Sequence, residues 1–300
     1  MGYHISDCNV IAGKGKEKVV MKNRPDQIVL YGCHYDRAQQ QCLQTELKKH
    51  DIELLVCENG DENLPKEKTG ILVICEDKAE AERLKEAGYF VIISLYEKNE
   101  WYDFSNFSYA IMDACQVEAE FYIKVWQRFM NIPWNILETE RCIIREMCEA
   151  DLDALYEIYA DESVSRYTEN LFEDREKEKQ YITDYRKNIY AYYGFGIWVV
   201  VRKSDGKLIG RAGYHYRPGF DYPELGFVFG VPYQKQGYAW EVCKSLMGIC
   251  KDVYDFEGVQ ALTEPENEAS VRLLDKLGFI QMEELILEEK KYFYYVNKEL

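Results

Sequence analysis

The stretch from Leu225 to Cys250 constrains this chain more than any other part of it. Leu225-Gly226-Phe227-Val228-Phe229-Gly230 is an apolar run of strand length. From Ala239 onward, Val242, Cys243, Leu246, Met247 and Cys250 recur at the spacing of one helix face. Between the two lies a short polar segment, Val231-Pro232-Tyr233-Gln234-Lys235-Gln236-Gly237-Tyr238. The pattern predicts strand, tight loop, helix. A helix entered this way leaves backbone N–H groups without carbonyl partners, and its dipole favours anions at that end. A pyrophosphate fits such a place. Gly237 lets the backbone come close to it, and Ala239 is small enough not to block the approach. The same residues also read as an ordinary strand-to-helix turn.

The chain has 300 residues, enough for two domains at about 150 residues each. Hydrophobic residues make up 47% and charged residues 30%, a globular balance. The formal net charge of −16 argues against a nucleic-acid binder held by phosphate contacts. It suits cationic partners such as amines or basic peptides, and it equally suits simple solubility. Ten cysteines form no C-x-x-C pair and the four histidines are scattered, so no metal site is expected. The cysteines read as small buried apolar residues of a reducing compartment. With no signal peptide and no apolar run of about 18 residues, a cytoplasmic protein without membrane association is expected.

Residues 1–138 read as one domain. Gly13-Lys14-Gly15-Lys16 is the tip of a turn or hairpin, since no apolar strand leads into it as a phosphate loop requires. Ile28-Val29-Leu30-Tyr31, residues 52–57, residues 70–75 and residues 89–93 are short apolar strands, with residues 110–112 as a fifth. Helical patterns fill residues 37–50, 78–87 and 117–129, and Gly88 suits a helix C′ position. Strands alternating with helices predict a parallel sheet covered on both faces, a Rossmann-like α/β domain. The piece Ile71 to Ile93, with Glu76-Asp77 at the strand end, resembles the late core of haloacid dehalogenase-like proteins. The D-x-D-G-T nucleophile loop of that family is missing, because Gly32-Cys33-His34-Tyr35-Asp36 follows the first strand. No phosphatase chemistry is therefore expected, and Glu76 and Asp77 read as strand-end and helix-start residues.

Residues 139–300 read as a second domain. Arg141-Cys142-Ile143-Ile144-Arg145-Glu146 is an alternating strand, after which Asp151 is expected to cap a helix carrying Leu152, Leu155, Ile158 and Tyr159. A charged helix spans residues 173–192. Ser204-Asp205-Gly206 marks a hairpin turn between strands 196–201 and 208–214. Residues 224–230 lead into the loop described above, and 259–263 form the next strand. Asn267-Glu268-Ala269-Ser270 opens a helix closed by Gly278-Phe279, and two strands follow.

Gln234-x-x-Gly237-x-Ala239 resembles the R/Q-x-x-G-x-G/A loop of the GNAT acetyltransferase superfamily. The stretch from Asn267 to Leu277-Gly278-Phe279 is similar to the P-x-N-x-x-S…L-G-F signature of the GNAT branch that includes ribosomal-protein N-terminal acetyltransferases. The resemblance covers residues 140–300. It implies a GNAT-fold domain with a mixed, splayed central sheet behind the Rossmann-like one. It implies acetyl-CoA as acyl donor and an amine-bearing small molecule, peptide or protein as acceptor. The cofactor contacts it implies are Phe229 and Val231 by backbone, then Gln234, Gln236, Gly237, Tyr238 and Ala239 around the pyrophosphate. Asn267 would touch pantetheine, or else serve only as a helix N-cap. The thioester would lie where the strands of Phe227-Val228-Phe229 and of 259–263 part.

Glu224 reads as the general base, or alternatively as a structural edge carboxylate. Many members carry a general-acid Tyr seven residues after the Asn; Leu274 stands there instead. Ser270 is the nearest substitute donor, or a helix-start residue. Tyr190, Tyr192, Tyr193, Tyr214, Tyr216 and Tyr222 are available either to line an acceptor pocket or to pack. The competing reading is a non-catalytic regulatory protein that binds acyl-CoA or another small ligand. The sequence sets neither the acceptor nor the oligomeric state.

Overall fold

The computed structural model describes residues 10–12, 19–60 and 64–300. The chain divides between Ile132 and Pro133 into two units.

In the first unit β1 (Val10–Ala12) pairs antiparallel with β2 (Val19–Met21). Gly13-Lys14-Gly15-Lys16 lies outside the described residues. The rest is β3 (Gln27–Tyr31), α1 (Arg37–Lys48), β4 (Glu53–Cys57), β5 (Ile71–Cys75), α2 (Lys78–Glu86), β6 (Phe90–Ser94), β7 (Ala110–Ile111) and α3 (Ala119–Phe129). The strands form a parallel sheet in the order β4-β3-β5-β6-β7. Period-two alternation sends Ile28, Leu30, Leu72 and Ile74 to the face covered by Leu43 and Leu47 of α1 and Tyr122 and Trp126 of α3. Val29, Tyr31, Val73 and Cys75 face Ala81 and Leu84 of α2. Burial on both faces explains why these strands read as unbroken apolar runs.

Asp36 and Asp77 cap α1 and α2, accepting from the N–H groups of Gln39 and Glu80 at 2.9 Å each. Glu76 is buried and accepts from the His34 backbone, with a His34 ring nitrogen 2.6 Å from its carboxylate. Both acidic residues thus tie the loops together at the strand ends.

The second unit runs β8 (Asn135–Glu138), β9 (Cys142–Arg145), α4 (Leu152–Tyr159), α5 (Glu162–Ser165) and α6 (Arg175–Tyr185). A π turn (Arg186–Tyr190) leads to α7 (Ala191–Tyr193), then β10 (Ile197–Arg202), β11 (Leu208–His215) and β12 (Glu224–Phe229). After these come α8 (Tyr238–Met247), α9 (Cys250–Tyr254), β13 (Val259–Thr263), α10 (Glu268–Lys276), β14 (Ile280–Leu287) and β15 (Lys290–Asn297). The sheet order is β14-β15-β13-β12-β11-β10-β9-β8, and every neighbour pair is antiparallel except β12 with β13. Trp198, Tyr214, Leu225 and Phe229 join Val242, Cys243, Leu246 and Cys250 in the core. Cys142 and Cys250 belong to this core, and burial pushes their thiols up to about 11, so they stay protonated at neutral pH.

One expectation at the start of this unit is corrected. Asp151 does not cap α4: its backbone is already helical there and its side chain makes no cap bond. Its carboxylate instead accepts from both terminal nitrogens of Arg145, at 2.8 and 2.6 Å, and from the Cys148 N–H at 2.8 Å. A nearby arginine, six residues back on β9, outbids a local cap because the guanidinium fork matches a carboxylate with two charge-assisted bonds. Asp151→Ala is expected to lower stability by about 3 kcal/mol, the low end for one partner of a buried pair, because Arg145 keeps some solvent contact. Urea unfolding measures this; an unchanged midpoint would make the pair energetically idle.

Candidate functional site

β12 is paired along its full length to β11, from His215↔Glu224 to Gly210↔Phe229. On its other edge it meets β13 at one register position, Glu224↔Gln260, where the Gln260 N–H donates to the Pro223 carbonyl at 2.9 Å. Beyond it the two strands part, and the edge of β12 from Leu225 onward has no ladder partner among the described residues. A parting of this kind leaves backbone donors and acceptors free to bind an extended ligand.

The parted strand runs straight into the loop that opens α8. Val231–Tyr233 form one 3-10 turn. Lys235 and Gly237 then take φ of +57° and +84°, and Glu241 N–H to Gly237 C=O is the first bond of the helix. Left-handed geometry at Gly237 explains the glycine. Gly237 at the N-cap offers no side chain to cap α8, so among the described residues the N–H groups of its first turn lack a cap of the usual kind. A Cβ placed on Gly237 would meet only the Arg141 guanidinium, at 3.4 Å, so the surface above it is open.

The two glutamines of the loop bond back to its own backbone. The Gln234 side-chain amide donates to the Phe229 carbonyl at 2.8 Å and that of Gln236 to the Pro232 carbonyl at 2.6 Å. These bonds fix the loop's shape. Phe229 is buried, Val231, Gly237 and both glutamines are exposed, Tyr238 is buried and Ala239 half-buried. The sequence reading missed the residue that holds this loop from just before β9. Arg141 donates to the Gln236 carbonyl at 3.0 Å, pairs with Glu241 at 2.6 Å and lies over the Tyr238 ring at 4.2 Å. Lys244 and Lys276 flank Trp240 in the first turn of α8, 4.8 and 4.3 Å from its ring centre. Lys244 belongs to the last turn of α8 and Lys276 to the last turn of α10, and Arg141 is the cation that touches the loop itself.

Glu224 sits at the one point where β12 still meets β13. It is buried, and both its oxygens accept from Arg217, at 2.5 and 3.1 Å. His215, its cross-strand neighbour, places Nε2 3.7 Å away, while its Nδ1 is buried without a partner. Burial pushes the His215 imidazole below its usual range, against the pull of Glu224, so the ring is neutral at pH 7. Glu224 in turn holds the Arg217 guanidinium above its ordinary value. His215 went unseen because its pairing with Glu224 depends on the β11–β12 register.

Asn267 is the N-cap of α10, its Oδ1 accepting from the Ser270 N–H at 3.3 Å. Ser270 is half-buried in the first turn. Leu274 is 1% exposed, a core residue that offers no proton. Of the tyrosines, Tyr190 and Tyr214 are buried in the core, whereas Tyr192, Tyr193 and Tyr216 are exposed and Tyr193 lies 5.5 Å from Tyr216. Tyr222 packs under Lys298. Among the described residues no His, Cys, Asp and Glu side chains gather to hold a metal, and no helix is long and apolar enough to cross a membrane.

The parted strand and the glycine-entered helix lie within residues 224–263 of the second unit. The family model for the acetyltransferase (GNAT) domain matches residues 141–280. Residues 141–280 thus match a GNAT acetyltransferase domain, and that part of the chain is similar to enzymes of this class. Among curated proteins it is 29% identical over 147 residues to the uncharacterized N-acetyltransferase YoaA of Bacillus subtilis, covering 48% of this chain and 82% of that protein. It is 26% identical over 142 residues to the uncharacterized N-acetyltransferase YnaD of the same organism, covering 47% and 81%. Among solved structures, an acetyltransferase (GNAT family) from Bacillus anthracis aligns with TM-score 0.46 at 24% identity, covering 54% of this chain and 98% of that one. Ribosomal-protein-S5-alanine acetyltransferase from Vibrio fischeri aligns with TM-score 0.47 at 18% identity, covering 54% and 95%.

Proposed function

We propose that the second unit transfers an acetyl group from acetyl-CoA to a primary amine, carried by a small molecule or by a peptide or protein N-terminus. The observation that supports this most directly is the parting of β12 from β13 immediately before the uncapped, glycine-entered start of α8. The backbone of Gln236, Gly237, Tyr238 and Ala239 would hold the pyrophosphate there, with Gln234 fixing the loop. The free edge of β12 near Phe229 and Val231 would hold the pantetheine chain, and Asn267 lies at the far strand's end. Acetyl-CoA supplies an activated acyl group.

The chain's own residues bind, orient and move protons. Glu224 would accept the proton of the incoming ammonium, directly or through water. Because Arg217 grips both carboxylate oxygens, that step requires the guanidinium to loosen its hold, and the neutral ring of His215 stands beside it. Ser270 would donate to the leaving thiolate, with Leu274 in place of an acid. A thiol-release assay tests the reading. Amine-dependent release of free CoA above the amine-free rate is the expected result. Tight acetyl-CoA binding with no release under any amine would favour the regulatory role instead.

A further inference from the structure

Among the described residues Arg211 has no counter-ion of its own. It lies on β11, with Val228 of the parted strand opposite it on one side and Val199 of β10 on the other. Alternation puts it on the sheet face that also carries His215 and Glu224. The residue is 9% exposed. One terminal nitrogen donates to the Tyr159 hydroxyl at a long 3.4 Å, the other approaches the Met147 sulfur at 3.8 Å, and Nε is buried with no partner. The phenols of Tyr181, Tyr185 and Tyr190 are its other near neighbours.

Among the described residues no carboxylate lies within ion-pairing distance of it. By contrast, Arg141, Arg145, Arg202 and Arg217 each grip an Asp or Glu. A buried cation without a partner is costly, and an apolar side chain of similar length would remove the cost. Buried donors left unsatisfied in a native protein call for a missing partner.

We propose that Arg211 is the anion subsite for the acceptor, and that the acceptor is a small amine bearing a carboxylate, of the free amino acid class. This rests on the acetyl-transfer reading above. A guanidinium fork matches a planar carboxylate with two parallel bonds. Its single charge balances one negative charge, whereas the second charge of a phosphate would be left among phenols. Arg211 stands one strand away from the open edge of β12, a spacing of about 4.8 Å. An amine placed at that edge and a carboxylate placed at Arg211 are therefore a few bonds apart. Tyr181, 39% exposed, links the buried cluster to solvent.

The test uses the full chain and its Arg211→Met variant, with the common amino acids as acceptors and, for each one acetylated, its decarboxylated amine. Acetyl-CoA affinity is measured by calorimetry and melting temperature by scanning calorimetry. The wild type should prefer the amino acid. Arg211→Met should cut kcat/KM for it by about a hundredfold or more, the loss expected when one member of a buried ion pair is removed. The decarboxylated amine and acetyl-CoA affinity should change little, and melting should not fall, since the variant removes an unpaired charge. Arg211→Lys should fall in between.

Three results would overturn the proposal. They are equal use of amino acid and amine by the wild type, no acetylation of any amino acid by a protein that binds acetyl-CoA, and an equal loss on both acceptors with lowered melting. Failure of the wild type to bind acetyl-CoA at all would instead remove the acetyl-transfer reading, and this one with it.

Discussion

Replacing Glu224 by Gln is expected to lower kcat by about 10²–10⁴, the contribution of a positioned general base, while acetyl-CoA affinity stays the same. The amide keeps the size of the side chain and one oxygen to accept from Arg217, but it cannot take a proton. The defect should shrink as pH rises, because an amine already deprotonated in solution needs no base. An α-amino acceptor, with an unperturbed pKa of about 8, should recover sooner than a lysine side chain near 10.4. Steady-state rates from pH 6.5 to 10 read this out. The structure sharpens the test, since Glu224 is bound by Arg217 at both oxygens. Were the carboxylate only a strut for Arg217, the loss would be small and would not vary with pH. His215 at 3.7 Å, or water, would then be the group to examine.

Gly237→Glu is expected to bring acetyl-CoA binding below detection by calorimetry. Two effects act together. A side chain at φ of +84° strains the backbone, at about 1–2 kcal/mol for a left-handed non-glycine residue. The larger effect is electrostatic. The new carboxylate would sit at the positive end of α8. It would be within reach of Arg141, whose guanidinium is the nearest group to a Cβ at that position. It would fill the anion site with a tethered anion. Gly237→Ala carries the strain without the charge and should lose far less affinity. Unchanged affinity in the Glu variant would mean that the loop is an ordinary turn.

What could be read from the chain followed local rules. Gly206, Gly237 and Gly278 all take positive φ where turns or helix ends require it. The central strands β3, β5 and β6 of the first unit announce themselves as apolar runs because both faces are covered. The parting of β12 from β13 was legible only through a family resemblance, since nothing in Phe227-Val228-Phe229 says which neighbour it will lack. The misses are all non-local. β8 follows Pro133 and pairs with β9 through a register irregularity between Asn135 and Leu137, so no clean alternation marks it. Asp151 looks like a cap to any local rule and is claimed by Arg145. Arg211 sits within Leu208-Ile209-Gly210-Arg211-Ala212, where a lone charge in an apolar strand reads as an outward-facing residue. Only the helices laid over that face show it to be enclosed.

The parted strands also bear on how the second unit holds together. β8 to β12 make one continuous ladder and β13 to β15 another, and a single register position joins them. Mechanically the sheet is two plates with a short hinge, and the connection through α8 and α9 crosses from one to the other. Such a layout lets the C-terminal plate loosen as a cooperative block without melting the rest. A molecule lying in the gap with bonds to both edges would act as a rivet, and its binding free energy would appear as added stability of that block.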